Sequence, residues 1–536
     1  MKRRDFIRSV VPVTALPFLV SGFPLRAYGR SPFLEALLSA ETVTDRVLVL
    51  IQLGGGNDGI NTVIPLDQLS PYNNLRSNIA LPDTSVLKLT NATGLHPKMT
   101  GMKQLYDDGK LTVIQGVSYP NPNLSHFRAM DIWLTAANSN EYLNDGWAGR
   151  YLNAEFSDYP DGYPNQVMPD PLAIQIGAVT SLSLQGPGRS MGISIQSPET
   201  FYQLVNGVPT GGTDTAPQTP AGRELTYIRR IAVQSQQYAT QVKAAADRVT
   251  QQSAYPTGNT LADQLKIVAR LVGGGLKTRI YILNLGGFDN HSSQVNQTDK
   301  TTGTHATLLQ RLSDAVAAFQ NDVKFLSTST NRLEDRVIGM TFSEFGRRVQ
   351  SNASLGTDHG TAAPMFVFGK SINSTSTGII GTNPSLTDLT NGNLKMQYDF
   401  RSVYGSILSQ WFGVGSAELS AVLLRNFQQL PIIRPGVAVA VPDESSIPRE
   451  YLLYENYPNP FNPSTTISYD LPTEANVVLK VYDMLGREVT TLVDSRQLAG
   501  HHQVRFDAST RLSSGGYIYH LQAGSFRDRK KMLYVR

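Results

Sequence analysis

Arg46-Val47-Leu48-Val49-Leu50-Ile51-Gln52-Leu53 runs directly into Gly54-Gly55-Gly56-Asn57-Asp58-Gly59-Ile60-Asn61-Thr62. The first segment is a short, nearly continuous apolar run ended by glycines. Such a run reads as a strand covered on both faces. Similar runs occur at Lys110–Gly116, Leu172–Ile176, Thr278–Leu285, Arg336–Phe342 and Met365–Phe368. Helical patterns lie between them, at Gly222–Gln252, Leu261–Val272 and His305–Leu326. Strands separated by helices predict an α/β fold with a mostly parallel sheet. Ligands of such sheets sit beyond the carboxyl ends of the strands, so the residues after each strand carry the functional reading.

The chain has 536 residues, 40% of them hydrophobic and 17% charged, enough apolar material for a large core. Its 47 basic and 43 acidic residues leave a net charge of +4. The one compact basic run is Arg527, Arg529, Lys530 and Lys531, too short for a nucleic-acid surface. Cysteine is absent, which removes disulfides, thiolate nucleophiles and Cys-ligated zinc. Met1-Lys2-Arg3-Arg4-Asp5-Phe6-Ile7-Arg8 and the short apolar stretch after it predict a signal peptide over residues 1–30, cleaved near Ala27 to Arg30. The Arg3-Arg4-x-Phe6-Ile7 order is similar to a twin-arginine signal. No later segment qualifies as a transmembrane span.

Three turns after predicted strands carry metal-ligand chemistry. Asp58 follows the first strand within a glycine-rich turn, where it could ligate a cation or cap a helix. Gly286-Gly287-Phe288-Asp289-Asn290-His291 follows Thr278–Leu285 and offers one carboxylate and one imidazole. Ser343-Glu344-Phe345-Gly346-Arg347-Arg348 follows Arg336–Phe342 and leads to Gly356-Thr357-Asp358-His359-Gly360, another acid–imidazole pair. A fourth cluster, Ser125-His126-Phe127-Arg128, follows Lys110–Gly116. Ser125 could serve as a nucleophile or only as a helix cap, and His126 and Arg128 could hold an anionic ester.

Residues 45–430 resemble the DUF1501 family, read as a branch of the alkaline phosphatase-like superfamily. The resemblance is carried by Leu53–Asn61, Ser125-His126-Phe127, Gly146-Trp147-Ala148-Gly149-Arg150, Gly287–His291, Glu344-Phe345-Gly346-Arg347 and Thr357-Asp358-His359-Gly360. It implies a three-layer sandwich, one or more divalent metals (zinc, magnesium, manganese or calcium), and hydrolysis of phosphate or sulfate esters. By position, the implied ligands are Asp58, Asp289, His291, Asp358 and His359, with Ser125 nearest the nucleophile. Arg128 or Arg347 would clamp the anion. The chain departs from the superfamily pattern in having one residue between Asp289 and His291 and no histidine soon after His359, a place that His126 or Glu344 could fill. The alternative is a binding or structural protein on a degenerate site.

Pro431, Pro435, Pro442 and Pro448 mark a linker over 431–450. Short strands then recur about every ten residues, from Thr466–Leu471 to Lys531–Val535, as in a small all-β sandwich. Tyr457–Pro463, Val481–Val489, Ala499-Gly500-His501-His502 and Ser513–Tyr519 resemble the type A C-terminal sorting domain of type IX secretion, over residues 451–536. That resemblance implies a partner in the type IX machinery and passage through the periplasm to the cell surface or medium.

Overall fold

A computed structural model describes residues 18–20, 23–25, 45–206, 217, 219–328, 331–374, 378–435, 450–456, 458–473, 475–497, 500–508 and 512–535. The expected twin-arginine motif lies outside these residues, as does most of the 431–450 linker.

Nine strands form the central sheet: β1 (Val47–Gly54), β2 (Leu111–Ser118), β3 (Ala173–Ile176), β4 (Ile193–Ile195), β5 (Ile280–Gly286), β6 (Val337–Phe342), β7 (Ala363–Phe368), β8 (Ile379–Ile380) and β9 (Tyr398–Asp399). Their order is β4-β3-β5-β1-β6-β7-β2-β8, with β9 also on β2. Only β7 runs against its neighbours. The six strands expected from the sequence are all present, and the three-residue β4 and the two-residue β8 and β9 are additions too short to leave a pattern.

The apolar run of β1 explains its central place. Leu48 and Leu50 enter one core, while Val47, Val49, Ile51 and Leu53 enter a second on the opposite face. Helices Trp147–Glu155 and Phe400–Gln410 contribute to the first core, Thr260–Gly273 and Thr304–Phe325 to the second. Helix, sheet and helix thus form three layers. The helix beginnings are chemically marked: Asn259 accepts from the amides of Leu261 and Ala262, and Thr219 accepts from that of Gly222 ahead of Pro220–Arg248.

Register places the site. Leu50 pairs with Ile282 of β5 and with Met340 of β6, so these parallel strands end at one edge. β2 runs in the same sense, and its following segment arrives there too. β7 runs oppositely, so the segment that precedes it begins at that edge. The hairpin of Arg347–Ser351 and Thr357–His359 fills this position.

Residues 452–534 form a separate β unit with its own core. Ser464–Leu471 pairs with Gly500–Asp507 and with Leu452–Leu453. Ala475–Asp483, Glu488–Gln497, Gly515–Ala523 and Phe526–Tyr534 form a four-stranded sheet. Alternate residues Ile467, Tyr469, Val477, Leu479, Tyr519 and Leu521 meet between the sheets. Among the described residues, no helix is long and apolar enough to cross a membrane.

Trp411 fastens the end of Phe400–Gln410 to β1. Its indole donates to the Val47 carbonyl at 3.2 Å, and Arg46 lies 4.6 Å over the ring. Trp411→Ala should cost about 3–5 kcal/mol through the cavity it leaves. Chemical denaturation checks this, and a loss below about 1 kcal/mol would contradict it.

Candidate metal centre

Two glycines open the site. Gly55 and Gly56 have φ of +118° and +75°. A Cβ on Gly55 would lie 2.4 Å from the Asp289 amide nitrogen, and one on Gly56 would lie 2.3 Å from the Phe345 ring. Only glycine lets the turn after β1 approach the turns after β5 and β6 this closely.

Arg347 then binds those turns together. It is buried, and its Nε donates to the Gly56 carbonyl at 2.7 Å and its Nη1 to the Thr357 carbonyl at 2.9 Å. Nη2 meets the Gly55 carbonyl, the Phe288 carbonyl and Asp289 Oδ1, the last at 2.7 Å. Burial raises the Asp289 carboxyl, but the hydrogen bond and charge of Arg347, with His126 and His291 nearby, outweigh it and hold the carboxyl below its ordinary value. Asp289 is therefore an anion whose direction is fixed.

Three imidazoles surround that carboxylate. His291 Nε2 lies 3.1 Å from Asp289 Oδ1, and His126 Nε2 and His359 Nε2 each lie 3.5 Å from it. His291 Nε2 and His359 Nε2 are 2.9 Å apart. The other ring nitrogens face acceptors. His126 Nδ1 is 2.8 Å from Glu344 Oε1, and His359 Nδ1 is 2.8 Å from the Leu124 carbonyl. His291 Nδ1 is 3.5 Å from Asp358 Oδ1. A carbonyl can only accept, so His359 carries its proton on Nδ1 and turns a lone pair inward from Nε2. Burial, only partly offset by that carbonyl and reinforced by the charges around it, lowers the His359 pKa and favours the neutral ring. The Phe345 ring packs 4.8 Å from His126 and 4.7 Å from His359.

His126, Asp289 and His359 present ligand atoms within one ion's reach of each other, and His291 adjoins two of them. The fit to a cation can be judged from the donors. His126 Nε2 is buried with no hydrogen-bond partner, and two imidazole nitrogens face each other beside a carboxylate. Such an arrangement is satisfied by a bound cation.

The remaining sequence candidates are distributed around this centre. Glu344 stands behind His126 and also accepts from the Gly55 amide at 2.8 Å. Asp358 is 57% exposed and reaches the centre only through His291. Asp58 is occupied elsewhere: Arg76 Nη1 and Gln294 Nε2 both lie 2.6 Å from its Oδ2. The Arg128 guanidinium donates to the carbonyls of Asn138, Ser139 and Glu141, and stacks 3.9 Å from Tyr142. Ser125 caps helix His126–Thr135 by position, but its hydroxyl makes no capping bond and is exposed.

Sequence reading did not find the buried network that backs the site. Arg76 also donates to Asn61 Oδ1 at 2.9 Å and to the Val349 carbonyl at 2.7 Å. Gln294 accepts from Thr357 at 2.9 Å, and His305 Nε2 meets Asn57 Oδ1 at 3.0 Å. These residues share no motif; they are joined only by folding.

Burial, offset in part by Asp58 and reinforced by Arg76 and Arg347, lowers the His305 pKa to about 4. Burial, with His305 and Lys98, lowers that of His96 to about 3. The unfolded chain therefore binds these protons near pH 6.5 while the folded chain does not. Stability should fall as pH drops from 6.5 towards 4, by roughly 2 kcal/mol per histidine between pH 7 and 5. Denaturant unfolding at the two pH values checks this, with His305→Gln reducing the slope; equal stability at both would contradict it.

Residues 117–394, just over half the chain, match the domain family described as "Protein of unknown function (DUF1501)". Residues 455–535 match the "Secretion system C-terminal sorting domain". No curated protein matches the chain. The sorting domain marks the protein for export to the cell surface or extracellular space by way of the type IX machinery. The chain belongs to the DUF1501 family and carries a C-terminal secretion sorting domain.

Proposed function

We propose that the protein is an exported metal-dependent hydrolase of phosphate or sulfate esters, on an alkaline phosphatase-like three-layer sandwich. The observation that carries this reading is the convergence of His126, His291, His359 and the Asp289 carboxylate at the carboxyl edge of a parallel sheet. The edge is open: His291 and Asp289 are each about half exposed, so a substrate group has access. His126, His291, His359 and Asp289 would hold a metal here, and a bound metal would supply Lewis acidity for ester hydrolysis.

The protein's own groups do the positioning. Arg347 fixes Asp289, Glu344 orients His126 through Nδ1, and the Leu124 carbonyl orients His359. The free Ser125 hydroxyl, next to His126 in the chain, is the candidate nucleophile. One observation favours the alternative of a non-catalytic surface binding protein. Arg347 gives its donors to carbonyls and to Asp289, and Arg128 turns its Nη2 to carbonyls, which leaves Arg347 in particular unavailable as an anion clamp.

Metal-loaded protein should hydrolyse an aryl phosphate or an aryl sulfate, lose the activity on chelation, and lose it in His359→Asn. Inactivity of the loaded protein on both ester classes would overturn the hydrolase reading and leave the binding one. The export route proposed is a twin-arginine signal at residues 1–30, passage through the periplasm, and then type IX transport. Deleting residues 451–536 should hold the protein in the periplasm, whereas Arg3→Lys/Arg4→Lys should hold it in the cytoplasm. Fractionation followed by immunoblotting distinguishes the two, and undiminished release of either variant would contradict the route.

A further inference from the structure

We propose that the centre takes one ion per chain, of the nitrogen-seeking zinc or iron kind and not magnesium or calcium, with His126 as a full ligand beside His291, His359 and Asp289. This rests on the metal-binding part of the reading above, but not on whether any ester is hydrolysed.

The kind of ion follows from the donors. Glu344 and the Leu124 carbonyl hold the Nδ1 protons of His126 and His359, so both rings present an Nε2 lone pair to the same space. His291 has Asp358 on its Nδ1 side and points Nε2 into that space as well. Three imidazole nitrogens and one carboxylate oxygen make a set suited to zinc or iron. Calcium would need six to eight oxygens, and magnesium keeps a shell of oxygens and water. Spacing agrees with this for the pairs that join Asp289 to each imidazole and His291 to His359, which stand 2.9 to 3.5 Å apart. His126 lies within 4.8 Å of His359, and His291 stands beside the group that His126, Asp289 and His359 form. Donors about 2.0–2.1 Å from a four-coordinate ion stand roughly 3.3 Å from each other.

The number of ions follows from the carboxylates. A second ion would need oxygens, and three of the four carboxylate oxygens of Asp58 and Glu344 have protein partners. Asp58 is neutralised by the buried guanidinium of Arg76 at 2.6 Å, a fixed cation in the protein itself. Glu344 Oε1 receives His126 and the Gly55 amide. Among the described residues, no second group of three His, Asp or Glu side chains lies within an ion's reach. One oxygen of Asp58 has no protein partner. Asp58 is therefore the place where a second ion would have to be sought, and the variant to test.

The full-length chain is stripped with chelator, reloaded separately with zinc, cobalt, magnesium or calcium, desalted, and read by elemental analysis and thermal melting. One equivalent of zinc or cobalt should be retained and should raise the melting temperature, with magnesium and calcium lost on desalting. His126→Gln should weaken zinc binding by more than the roughly 10–100-fold that loss of an outer hydrogen-bond partner costs. Asp58→Asn should keep its single equivalent. Two equivalents in the wild type falling to one in Asp58→Asn would overturn the single-ion inference. Retention of calcium or magnesium in preference to zinc would overturn the choice of ion. Either result leaves a metal-dependent hydrolase standing. Retention of no metal at all would overturn both this inference and the metal on which that reading depends. Failure to hydrolyse esters with one zinc bound would overturn only the hydrolase.

Discussion

The buried guanidinium of Arg347 is the contact on which the site depends. It joins the turn after β1, the turn after β5 and the hairpin before β7 through their carbonyls, and directs the Asp289 carboxylate. Without such a cation, several carbonyl oxygens and a carboxylate would face each other at the sheet edge. Arginine suits this place because its rigid fork meets several acceptors at once and stays charged. The glycines at 55 and 56 are the steric counterpart, since their positive φ lets backbone approach where a side chain would collide.

Strand direction is what makes that convergence possible. Parallel strands β1, β5 and β6 deliver their following turns to one edge. The reversal at β7 delivers a preceding segment to the same edge and so adds His359. His126 comes from the helix after β2. Three distant parts of the chain thereby supply the ligands of one centre, and the acceptors on Nδ1 of His126 and His359 fix how those rings face.

Much of this was legible in the sequence because strands buried on both faces are apolar runs, and the glycine-rich turns after them expose their acids and histidines. The six long strands and the pairs Asp289/His291 and Asp358/His359 were visible in this way. Division of labour within the pairs was not. Asp289 faces the centre, whereas Asp358 only approaches His291 from outside, a difference set by hairpin geometry. Asp58 follows a strand just as Asp289 does, yet it lies against Arg76, whose position near the end of a short helix carries no sequence signal. His126 was legible both as a substrate contact and as a stand-in for the absent later histidine, and it stands among the imidazoles. The sorting unit was the most legible part, because alternation with period two and regular turns are local features.

X-ray absorption at the edge of the bound metal tests the central claim most directly, because it counts imidazoles without reference to any substrate. A first shell of nitrogen and oxygen at about 2.0–2.1 Å, with outer-shell scattering from three imidazole rings, is the expected result. An oxygen-only shell with no imidazole scattering would contradict the assignment of His126, His291 and His359 to one centre.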